Sequence, residues 1–179
     1  MTKEKDLKRL LNISVEDKLK NTIMMLIYLR KKDGAAAIRD YYGNAIPEYL
    51  LEYEGLGAGK RMMAKTWLKT SPHSYLKKIM EGIKEDQEFI VPLEKYEILK
   101  DSKKEISTKI DCDFIRALEK SRIKFKCDFD MRECYCKEAC TPMMKRILEN
   151  FFLQAEVTLT ETGCIRTVSV PDSSTSETE

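Results

Sequence analysis

The chain has 179 residues, 42% hydrophobic and 35% charged, with 32 Lys and Arg against 30 Asp and Glu and a formal net charge of +2. That length suits one domain with a real core, and so balanced a charge offers no electrostatic reason to propose nucleic acid as a partner. No apolar run approaches the roughly 18–20 residues that span a bilayer. The charged N-terminus MTKEKDLKRLLNI also lacks the apolar centre of a signal peptide, so a cytoplasmic, reducing location with no membrane partner is expected.

Residues 1–13 form an amphipathic arm with Leu7, Leu10 and Leu11 at helical spacing, expected to dock on its own domain or on a second copy in a homodimer. A single domain over 14–170 follows. Ser14 and Asp17 give a capping-box signal for a helix carrying Leu19, Ile23, Leu26 and Ile27. Its basic end Arg30-Lys31-Lys32 suits a helix C-terminus and is taken as a solvated helix end. Asp33-Gly34 stops it, and Ala35 to Tyr42 predicts a short helix closed by Gly43-Asn44. Pro47 opens a longer helix to about Leu68, interrupted by Gly55, Gly57 and Gly59. Each glycine costs about 1 kcal/mol against alanine in a helix interior and therefore needs a reason. A phosphate-binding loop is not one: Glu54 stands where its first glycine should be, and Arg61 replaces the Ser/Thr after Lys60. Close helix packing explains the glycines. A second explanation is an apolar small-molecule pocket walled by Tyr49, Tyr53, Gly57, Met63 and Trp67.

Ser71-Pro72 predicts a fresh helix start, with Leu76, Ile79, Met80 and Ile83 on one face and the sole histidine, His73, as a surface or capping residue in its first turn. The period then changes to two. Residues 91–99 and 105–112 predict an antiparallel hairpin turning at Asp101-Ser102-Lys103-Lys104, with Ile106, Thr108, Ile110 and Cys112 on its more apolar face. A helix with Phe114, Ala117 and Leu118 leads into a cysteine-rich loop, 127–140. Thr141-Pro142 then caps a last helix whose core face is Met143, Met144, Ile147, Leu148, Phe151 and Phe152. Strands at 155–160 and 164–170 turn at Glu161-Thr162-Gly163, where glycine supplies a positive φ, and the polar tail 171–179 is expected to be disordered. The predicted fold class is α+β, an antiparallel four-stranded sheet with helices on one side.

Five of the six cysteines lie at 112, 127, 134, 136 and 140, the last four spaced C-x6-C-x-C-x3-C. In a reducing compartment such a cluster points to thiolate chemistry rather than to a disulfide frame. Short spacings lower the entropy of bringing ligands together. Cys127, Cys134, Cys136 and Cys140, with Cys112 able to replace one of them, are therefore the candidate ligands of an iron–sulfur cluster or zinc. Cys140 gains thiolate character if it precedes a helix start, and Lys126, Arg132 and Lys137 offset the charge. The spacing matches neither the zinc-ribbon pairs nor the ferredoxin runs. Redox-active thiols and inert cysteines remain alternatives, and Cys164 is assigned as an ordinary half-buried hairpin residue.

The order of elements, the glycines Gly55–Gly59 within a helix, Cys112, the segment Glu133-Cys134-Tyr135-Cys136 and the pair Gly163-Cys164 together resemble the 4-vinyl reductase domain family over about residues 34–170. Its members share an α+β fold with trafficking-complex (TRAPP) subunits and form small-molecule- or hydrocarbon-binding and sensory domains. The resemblance implies a ligand-binding or redox-sensory protein. Zinc-binding members use a cysteine pair on the terminal hairpin, and only Cys164 stands there, so that site does not transfer whole. Relatives of the thiazoline-carboxylate hydrolase type would imply a cysteine-dependent hydrolase, or a reductase. The only histidine lies some forty residues from the nearest cysteine. A structural zinc module for protein partners is the third alternative.

Overall fold

A computed structural model describes residues 2–54, 58–87 and 95–171. Gly55, Gly57, the start of the first predicted strand and all but the first residue of the predicted tail lie outside those residues. Helix α1, Thr2–Asp40, is helical from its second residue, so the backbone of the predicted arm is continuous with the helix that follows. Ile23, Leu26 and Ile27 bury its apolar stripe, as spacing by three and four requires. Gly34 interrupts it at φ 79°, ψ −165°, a region essentially reserved for glycine. The predicted stop is thus a kink, after which Ile38 is again fully buried.

Two predicted boundaries are overturned by one physical cause. The helix predicted to close at Gly43-Asn44 instead passes through a π turn, Tyr41–Ala45, into α2, Ile46–Glu54. The predicted loop 127–140 and its helix cap likewise give way to α6, Met131–Tyr135, a π turn Cys136–Cys140 and α7, Thr141–Asn150. In each case a proline, Pro47 or Pro142, stands two residues beyond the π turn. Proline has no N–H for the carbonyl four residues back and its ring crowds that carbonyl, so the preceding turn widens. The two π turns pack on each other. A Cβ at Gly43 would come within 2.9 Å of the Pro142 Cβ, and Arg39 pairs across the contact with Glu138 at 2.6 Å.

Helices α3, Ala58–Thr70, and α4, Pro72–Gln87, pack together and lead to the sheet. Strands β1, Tyr96–Asp101, and β2, Glu105–Asp111, form the first hairpin, and β3, Gln154–Leu159, and β4, Gly163–Ser169, the second. All pairs are antiparallel, in the order β1-β2-β4-β3. The protein is α+β. Helix α5, Asp113–Lys124, joins the hairpins through α6 and α7. Register places Ile106, Thr108 and Ile110 beside Val168, Arg166 and Cys164, and these in turn beside Ala155, Val157 and Leu159. Helices α4 and α7 contact this sheet. Leu76, Met144, Leu148, Ile106 and Val168 form one buried cluster, and Ile23, Leu26, Ile38, Phe114, Leu118 and Met131 another. Among the described residues no helix is long and apolar enough to cross a membrane.

Candidate functional site

Where these clusters meet, four cysteines line one cavity of about 60 Å³: Cys112, Cys136, Cys140 and Cys164. Cys112 is the residue that caps α5 as β2 ends. Its N–H donates to the Thr162 carbonyl at 3.0 Å, tying that helix start to the β3–β4 turn. Cys164 is paired with Ile110 on β2 and Leu159 on β3, which puts it on the helix-facing side of the sheet. The glycine before it is required by close approach, since a Cβ at Gly163 would lie 1.7 Å from the Ile110 carbonyl oxygen. The positive φ expected at this glycine is not present, because the turn needs space there rather than a left-handed backbone.

Cys136 and Cys140 open and close the second π turn. Helical geometry explains why Cys134 is not with them. At 3.6 residues per turn, residues two apart point about 200° away from one another. Cys134 accordingly lines a different, polar cavity with Arg30, Asp130 and Glu133, and with Cys127 it packs against the α1 cluster. Of the five cysteines expected to act together, the structure brings 112, 136 and 140 to one cavity, leaves 127 and 134 outside it, and adds Cys164. Cys140 also sits inside a continuous helix, with φ −63° and ψ −48°, rather than before a helix start. No helix N-terminus is there to favour its thiolate.

All four thiols are held neutral. Burial pushes Cys136 up to about 12 and Cys140 up to about 11, with the neighbouring sulfurs adding to the rise. Burial also raises Cys112 and Cys164. Two cations oppose this: Arg166, 3% exposed, lines the same cavity and favours the thiolates of Cys112, Cys140 and Cys164. Arg132 does the same for Cys136 and donates to the Thr160 carbonyl. Apolar walls complete the site, including Phe114 packed edge-on against Tyr135 with ring centroids 4.5 Å apart. Four soft donors with two nearby guanidiniums suit a thiophilic ion or cluster in chemistry and charge. Among the described residues, however, no group of three or more His, Cys, Asp or Glu is preassembled to hold a metal.

His73 is far from this chemistry. Its Nε2 lies 2.5 Å from Asp101 Oδ1, and Lys77 lies 3.1 Å from the other carboxylate oxygen. Asp101 pairs with Ile106, four residues along β2 from Ile110, a separation of about 13 Å at strand rise. The aromatic pocket expected on the glycine-bearing helix has another outcome. Tyr49 and Met63 are 61% and 70% exposed, and Trp67 packs edge-on to Tyr75. None of these three lines the cavities described here. The Tyr53 side chain and Gly57 lie outside the described residues. Among the described residues nothing lies within 4 Å of a Cβ added at Gly59, so close packing against them is not its reason.

Arg166 and Cys164 were missed in the sequence as site residues. Their signal was alternation: Cys164, Arg166 and Val168 share one face of β4. Comparison with known proteins gives no family model, no curated protein and no solved structure that matches the chain.

Proposed function

We propose that the protein is a non-enzymatic sensory or binding protein of a reducing, cytoplasmic compartment, built around a soft-metal centre, zinc or an iron–sulfur cluster, on Cys112, Cys136, Cys140 and Cys164. The observation that carries this is the meeting of four thiols from three separate segments around one apolar cavity with a buried arginine. Isolated thiols in such surroundings stay protonated, whereas a metal displaces the protons and uses all four sulfurs. Cys112, Cys136, Cys140 and Cys164 would hold such a centre, which would supply either a fixed structural anchor (zinc) or an electron-accepting group (iron–sulfur). Arg166 and Arg132 reduce the negative charge that four thiolates bring into the interior. The resemblance to 4-vinyl reductase sensory domains supports the same reading.

A hydrolase or reductase working through a free thiolate gains less support. Nucleophilic catalysis needs a thiolate near neutral pH and a base to make it. Here burial works against the first, and His73 is engaged with Asp101 at the other end of the hairpin.

Anaerobic purification followed by metal analysis and visible absorption tests the proposal. Stoichiometric zinc in a colourless sample, or iron and sulfide in a brown one, is expected. Cys164→Ser and Cys136→Ser should lose the metal, while Cys127→Ser should keep it. Full metal content in Cys164→Ser, or a metal-free wild type under reducing conditions with added zinc and iron, refutes the assignment. Unfolding on chelation would make the centre a structural module.

A further inference from the structure

The two edges of the sheet differ. Strand β1 carries Glu97, Lys100 and Asp101 and a register shift between Ile98 and Lys100. Bulges and charges of this kind keep an edge from pairing with another chain. Strand β3, at the opposite edge, has no proline and a single charge, Glu156, and it holds its register with β4 without a break from Gln154 to Leu159.

Two hydrogen bonds fix the direction of the free backbone groups on β3. In an antiparallel pair, residues whose N–H and C=O face the partner strand alternate with residues whose groups face away. The Cys112 N–H donates to the Thr162 carbonyl and the Thr160 N–H to the Gly163 carbonyl, both at 3.0 Å. Stepping by two from Thr160, the residues Thr158, Glu156 and Gln154 also turn their backbone groups to β4. Ala155, Val157 and Leu159 therefore turn theirs outward. Among the described residues no hydrogen bond reaches this outward set from beyond the sheet.

We propose that β3 pairs with β3 of a second copy of this chain, antiparallel about a two-fold axis through Val157. In that register Val157 meets the partner's Val157 and Ala155 meets the partner's Leu159, small against large. All three outward residues then exchange both of their backbone hydrogen bonds. On the other face of the sheet Glu156 stands opposite the partner's Thr158, a carboxylate opposite a hydroxyl donor. A register centred on Glu156 would set two carboxylates directly opposite each other, which is destabilising. One centred on Thr158 would leave Ala155 beyond the end of the partner's strand. Val157 and Leu159, both half-buried, are also part of the wall of the thiol cavity, so the partner's strand covers that wall and sets the two thiol cavities on either side of the axis. The pairing makes the four-stranded sheet continuous with its copy. It uses a surface other than the N-terminal arm and needs no bound metal.

Sedimentation velocity of the full chain over a concentration series, with amide exchange followed residue by residue, tests the proposal. A concentration-dependent dimer is expected. The Val157 and Leu159 N–H groups should exchange at least about tenfold more slowly in the dimer than in dilute protein, while those of Glu156 and Thr158, already bonded to β4, change little. Val157→Pro removes an outward donor and no bond of the β3–β4 ladder, so it should abolish dimerisation. Thr158, on the exposed side of β3, gives a charge test. Thr158→Glu sets like charges opposite each other and Thr158→Lys opposite ones, so they should weaken and tighten the dimer by about threefold or more. A wild type that stays monomeric at about 1 mM, the weak end of specific association, overturns the proposal. A dimer that ignores both Thr158 variants, or a folded Val157→Pro that still dimerises, lies on another surface and overturns it equally. Slow exchange of Val157 and Leu159 in the monomer would put another segment of the chain on this edge, with the same consequence. The Thr158 variants decide the matter even if Val157→Pro fails to fold.

Discussion

Replacing Gly163 by alanine perturbs the thiol site through the backbone alone. The added Cβ would stand 1.7 Å from the Ile110 oxygen, 2.8 Å from its carbonyl carbon and 3.1 Å from the Cys112 nitrogen. Close carbon–oxygen contacts in sheets fall at about 3.3–3.6 Å, so the β2 and β4 backbones must separate by more than an ångström at the Asp111–Gly163 pair. Overpacking of this kind costs about 1–3 kcal/mol. Losing the Cys112 N–H to Thr162 bond, 3.0 Å long, adds about 0.5–1.5 kcal/mol. A loss of about 1.5–4.5 kcal/mol is expected for Gly163→Ala, read as a lower urea midpoint at unchanged slope. Because the shift parts Cys112 from Cys164, metal content should fall in whatever fraction remains folded. A variant within about 0.5 kcal/mol of wild type, the range of ordinary surface changes, would show that the strands accept the methyl group and that the close approach does not hold the site.

Gly82, inside α4 with no described residue within 4 Å of an added Cβ, is the matched opposite: Gly82→Ala should stabilise by about 0.5–1 kcal/mol in the same urea assay. Gly34→Ala should destabilise by about 1–3 kcal/mol, because its φ of 79° with ψ −165° suits only glycine. For metal-free, reduced protein the raised thiols set an alkaline limit. Unfolded cysteine ionises near its ordinary value of 9.0, while folded Cys136 and Cys140 hold their protons to about 12 and about 11. Between those limits the unfolded state binds fewer protons, so stability present below pH 9 is lost as pH rises. A urea midpoint falling from pH 8.5 to 10.5 less steeply in Cys136→Ala/Cys140→Ala than in wild type is the expected result; parallel slopes would refute it.

Much of the architecture was written in local pattern. Alternation of Ile106, Thr108 and Ile110 identified β2, and the stripes around Leu26, Leu76 and Leu148 identified the buried helix faces, because period two and period 3.6 are properties of the chain itself. The density of cysteines was equally plain. Which cysteines belong together was not, because that depends on helix phase and strand register. Two residues of a Cys-x-Cys pair are close in sequence, yet a helix points Cys134 and Cys136 to opposite sides. Cys164, 28 residues beyond Cys136, is instead carried to the cavity by its pairing with Ile110. Pro47 and Pro142 were taken for helix starts because proline suits a first turn as well as it suits a widened one; only the packing of two π turns through Gly43 and Pro142 decides between them. Arg166 passed for one more polar residue in a strand, and its burial beside the thiols follows from sheet order β1-β2-β4-β3 under α4 and α7. Periodicity is a one-dimensional property and survives in the sequence, whereas the identity of a residue's neighbours is set only when the elements pack.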